Sequence, residues 1–143
     1  MRVRAVTMSR MKENNRVLLI LLLVYCAASS IHFIHNAEFL QHYPGLPAAW
    51  SSAGVYLAWL GMTLVGGIGS VLYFRGHHRV GLGILAIYAA LGLDSLGHYI
   101  VAPLAAHTAA MNSTIFLEVG AAALVLGEVL RRAFGEIRRA KHS

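Results

Sequence analysis

Charged side chains are scarce in this chain. Only 13% of its 143 residues are Asp, Glu, Lys or Arg, where a soluble domain carries about a quarter. A single cysteine, Cys26, excludes an internal disulfide, a CxxC redox pair and a zinc-finger spacing. HExxH, phosphate-loop, dinucleotide and nucleophile–base motifs are all missing, so none of the enzyme classes they mark is indicated. The glycines between Gly61 and Gly69 match no phosphate-binding loop and read as helix packing.

What the chain has instead is apolar length: 57% of its residues are hydrophobic. Four apolar stretches, at about 17–39, 50–74, 80–102 and 112–130, are each about as long as the ~20 helical residues needed to cross a bilayer. Pro44, Gly45 and Pro47 punctuate the first connector. Arg75–Arg79 forms the second, and Pro103 stops the third stretch. Asn112 or Ser113 is an expected N-cap for the fourth. Trp50, Tyr56 and Tyr73 suit the aromatic belts at the ends of a span. Gly66 and Ser70 have the small-xxx-small spacing of close helix contacts.

The formal charge of +6 would suit a nucleic-acid partner, but the distribution of the bases points elsewhere. All twelve Lys and Arg residues fall in residues 1–16, the 75–79 connector and residues 131–143. The positive-inside rule therefore predicts an all-α integral membrane protein. It is expected to be an antiparallel bundle of four transmembrane helices, N-in/C-in, in a bacterial-type inner (plasma) membrane. Residues 1–16 and 131–143 are expected as cytoplasmic tails flanking a membrane domain over 17–130. Met8 and Met11 are alternative starts. A cleaved signal peptide is the competing reading of the first stretch, with Ala27-Ala28-Ser29-Ser30 as its small-residue end. The renewed apolar pattern at Ile31 speaks against it. Expected partners are the lipid bilayer and either further copies or a larger membrane complex, with no nucleic acid.

Ionisable groups inside spans are costly and point to function. Counting ~1.5 Å per residue from the expected span ends puts His32 and Asp94 ~21–22 Å from the inner face, His98 ~27 Å from it and Glu118 ~9 Å from the outer face. His35 and Glu38 fall near the outer rim. One layer in the outer half is therefore expected to hold His32, His35, His98, Asp94 and Glu118. Ser29, Asn36, Glu38 and Tyr56 are expected in support. Ser29, His32, His35 and Asn36 share a face of the first helix. Asp94 and His98, four apart, are expected to share a face of the third.

Imidazole and carboxylate together suit iron, copper, zinc or manganese, and two opposed histidines suit haem iron. A transition-metal or haem site, for redox chemistry or metal handling, is thus the leading expectation. The first alternative is a proton relay or small-ligand pocket in a carrier or small membrane enzyme. The second is an accessory subunit without chemistry of its own, in which the same groups merely cross-link helices. His42 and His107, in the outer connectors, are expected to be solvated, as are His77 and His78. Cys26 is expected in packing, and Glu128 in an ion pair with Arg131 and Arg132.

Overall fold

A computed structural model describes residues 2–141, with side chains described over 15–138 and at 141. Helix α1 spans Arg2–Glu38, α2 Ser52–Phe74, α3 His78–Leu93, the single turn α4 His98–Val101, and α5 Ala109–Ala140. A 3-10 turn, Asp94–Gly97, joins α3 to α4 without a break in the rod. Two more, Leu40–His42 and Leu104–Ala106, lie in the connectors. Four helical rods, Asn15–Glu38, Ser52–Phe74, His78–Val101 and Ala109–Arg138, are long and apolar enough to cross a membrane.

Several boundaries differ from the expected ones. The basic segment before residue 17 continues the helix of the first span, so α1 has no separate irregular tail. The fourth helix likewise runs on past Leu130 to Ala140. Its start is earlier too. Thr108 Oγ1 accepts from the Met111 amide at 3.2 Å, so Thr108 does the capping expected of Asn112 or Ser113. Ser51 caps α2 in the same way, accepting from the Gly54 amide.

The rods pack in a closed square: α1 lies against α2 and α5, and α3 against α2 and α5. Side-chain contacts fix the directions. At one end Arg132 of α5 donates to Asn15 of α1 and to the Tyr73 hydroxyl of α2. At the other, Trp59 of α2 donates to Ser29 of α1, and His32 of α1 meets Glu118 of α5. The first can be called the basic end, because the Arg75–Arg79 connector and the Arg131 and Arg132 side chains lie there.

The inward stripes follow helical periodicity. On α1, Leu18, Leu22, Tyr25, Ser29, His32 and Asn36 are buried; on α5, Met111, Ile115, Glu118, Ala122, Val125 and Val129 are. Both series step by 4, 3, 4, 3 and 4, which keeps one face of a 3.6-residue helix toward the neighbour. Helices α2 and α3 approach most closely at glycine. A Cβ on Gly66 would meet the Tyr88 ring at 2.8 Å, and one on Gly81 would meet the Tyr73 backbone nitrogen at 2.6 Å. Gly61 and Gly67 have open space beside them and play no such part. Outward, large apolar side chains such as Leu57, Leu64 and Ile100 remain 64–87% exposed, a surface suited to hydrocarbon rather than water.

Candidate functional site

The polar residues of the inward stripes meet near the end of the bundle away from the arginines. His32 and Glu118 are 2% and 0% exposed, with His32 Nε2 3.6 Å from Glu118 Oε2. The α1 and α5 stripes face one another, and each replaces an apolar residue with an ionisable one at this level. Ser95, from the 3-10 turn, donates its hydroxyl to Glu118 Oε2 at 2.6 Å.

The Thr114 hydroxyl lies 3.0 Å from the Met111 carbonyl, to which it can donate, and 3.3 Å from His32 Nδ1, where the direction of the bond follows the His32 tautomer. On the other side of the ring, His32 Nε2 faces Glu118 Oε2. That contact is favourable with a proton between the two atoms and repulsive between two bare acceptors.

A second histidine adjoins the first. The His98 ring stands edge-on to His32, centroids 5.5 Å apart, and the Asn36 amide donates to His98 Nε2 at 3.3 Å. Tyr43 and His107, from the two connectors at this end, close the site. Tyr43 stacks obliquely on His98 at 5.1 Å, and His107 lies 6.1 Å from the same ring. His107 Nδ1 donates to the Pro103 carbonyl. Burial pushes the Tyr43 phenol up to about 12, so it stays a neutral donor and acceptor, 2.9 Å from His35 Nδ1.

Hydrogen-bonding capacity remains unused here. Asn36 Oδ1, His98 Nδ1, His107 Nε2 and Glu118 Oε1 are buried without a partner among the described residues. Few buried polar atoms in a protein are left so.

The expected set of five is thus divided. His32, His98 and Glu118 come together, with Asn36 bonded to His98, while Ser29, one turn earlier on α1, donates to the Cys26 carbonyl and accepts from Trp59. His35 is half-buried and turned to Tyr43. Asp94 is exposed, on another side of its rod. Asp94 follows the buried Gly92 of α3 by two positions, about 200° around the helix, and so turns outward. Residues i and i+3 eclipse in the 3-10 turn, so His98 shares its face with Ser95. Glu38 and Tyr56 bond to each other at 2.6 Å near the rim, away from the buried pair. Among the described residues, no three His, Cys, Asp or Glu side chains are arranged as a metal-ligand set.

His107 also departs from expectation: it is 6% exposed, packed against Tyr43, Tyr99 and His98. His42, His77 and His78 are exposed as expected. Glu128 pairs with Arg131 and Arg132 at 2.7 and 2.8 Å, also as expected. Spacing gives no signal for Tyr43. For Ser95 and Thr114, the positions one helical turn before His98 and Glu118 were the available hint.

No family model, curated protein or solved structure matches the chain. Fold and site define its class only as an all-helical protein whose four long apolar helices suit a membrane.

Proposed function

We propose that the chain is an integral membrane protein with four spans and both termini cytoplasmic, and that His32 and Glu118 form a proton-exchanging site in its outer half. The confinement of all twelve Lys and Arg residues to one side supports the orientation. The observation that carries the site reading is the buried contact of His32 Nε2 with Glu118 Oε2 at 3.6 Å, an imidazole and a carboxyl placed to share a proton away from water. His98 and His107 continue the line of imidazoles toward the connectors. Such a site serves a proton-coupled carrier or a small membrane enzyme using general acid–base chemistry.

The metal and haem readings rank below this one because His35 and Asp94 turn away from His32. The residual donor set is two imidazoles and one carboxylate, and a metal would require them to rearrange.

Infrared difference spectroscopy of the purified protein across pH tests the proposal. A protonated carboxyl band that responds to pH, disappears in Glu118→Gln and shifts its midpoint in His32→Gln is the expected result. A wild-type protein with no Glu118 band change at any pH where it stays folded would refute it. Stoichiometric iron, copper, zinc or manganese in the same preparation would restore the metal reading.

A further inference from the structure

At the basic end, remote from the buried histidines, α3 and α5 leave a trough of about 510 Å³ between them. Its walls are apolar: Leu82, Ala86, Val129, Leu130, Ala133 and Ile137 line it. Gly83 is in the same wall, and a Cβ there would meet nothing within 4 Å. The glycine keeps the trough open without serving any helix contact. Arg79 and Lys141 stand at its mouth with one acidic residue, Glu136. A second hollow of about 370 Å³ adjoins it, lined by His77, His78, Arg79 and Glu136 among others. Arg79 and Glu136 belong to both. The apolar slot therefore opens beside a second hollow, and the slot's own mouth carries two cations, Arg79 and Lys141, against one anion, Glu136.

Arg79 and Lys141 form no ion pair among the described residues. Their neighbours Arg131 and Arg132 differ, being held by Glu128. Two cations are thus kept at the mouth of an apolar slot, without an anion bonded to either among the described residues. The geometry points to a bound anionic glycerophospholipid, one acyl chain in the trough, its phosphate between Arg79 and Lys141, and a hydroxylated head group within reach of Glu136. Basic pockets between transmembrane helices on the cytoplasmic side recognise anionic head groups in this way. The inference rests on the four helices being membrane spans and is independent of the proton-exchanging site. A free phosphate would leave the apolar slot unfilled, and a zwitterionic lipid would leave the two cations without a net counter-charge.

Native mass spectrometry of the detergent-purified protein, titrated with phosphatidylglycerol or phosphatidylcholine of identical acyl chains, tests it. Each basic side chain near an anionic lipid is worth about fivefold in affinity. One phosphatidylglycerol should bind with a preference of at least about tenfold, and R79Q/K141Q should abolish that preference. G83L, which fills the trough at a position with open space, should weaken both lipids while circular dichroism and melting stay at wild-type values. Equal binding of the two lipids by the wild type would overturn the assignment without recourse to any variant. So would a phosphatidylglycerol preference that survives R79Q/K141Q, which would mark ordinary annular lipid. A lipid-free dimer disrupted by G83L would overturn it in favour of a second copy of the chain.

Discussion

Thr114 holds the His32 ring from the side away from Glu118: its hydroxyl lies 3.3 Å from His32 Nδ1 and 3.0 Å from the Met111 carbonyl. A double-mutant cycle on His32→Ala and Glu118→Ala, read by unfolding in detergent, should give a coupling of about 0.6 and at most about 2 kcal/mol. Additive effects would mean the pair does not interact. Ser95→Ala should cost about 1–3 kcal/mol, because Glu118 Oε2 loses its donor while buried. Asp94→Asn, at an exposed position, should stay within about 0.5 kcal/mol of wild type. The contrast between the neighbours Ser95 and Asp94 is the sharp part of this prediction.

Among the helices, the long rods were legible and their local deviations were not. Apolar length and connector punctuation located all four. The 3-10 turn at Asp94–Gly97 left no sequence mark distinct from any Gly-containing helix. It arises where the third rod fits its end against α5 and the connectors, and it decides which residues accompany His98. Glycine roles were equally hidden, since identical residues serve opposite ends. Gly81→Ala should destabilise by about 1–3 kcal/mol, because its Cβ would press on the backbone of Tyr73. Gly83→Ala should be neutral or stabilising by up to about 1 kcal/mol, because its Cβ enters open space on a helix. Parallel melting curves of the two alanine variants check this, and equal shifts would contradict the packing described for α2 and α3.

For the molecule as a whole, the two ends carry different chemistry. The basic end is cross-linked by Arg132, which reaches Asn15, Tyr73 and Glu128 on three helices. The opposite end holds the buried histidines under connectors that contain no Lys or Arg. The proposed orientation is accessible to cysteine labelling in a Cys26→Ser background. A membrane-impermeant maleimide added to intact cells should label Ala105→Cys and spare His77→Cys until the membrane is opened. The reverse pattern would invert the topology.

Composition and charge placement by themselves determined that the chain is helical, apolar on the scale of a bilayer, and divided between basic and non-basic ends. Those properties are sums over many residues, so errors of a few positions at helix boundaries do not disturb them. They also brought forward His32, His98 and Glu118, because an ionisable group inside an apolar run is visible without coordinates. Only the tertiary structure decided that Asp94 and His35 turn away, that Ser95, Thr114 and Tyr43 join, and that His107 is buried. Each of those outcomes depends on a local winding, a shared hydrogen or a connector folding back over the bundle. Such features come from contacts between segments far apart in sequence, and one-dimensional periodicity does not record them.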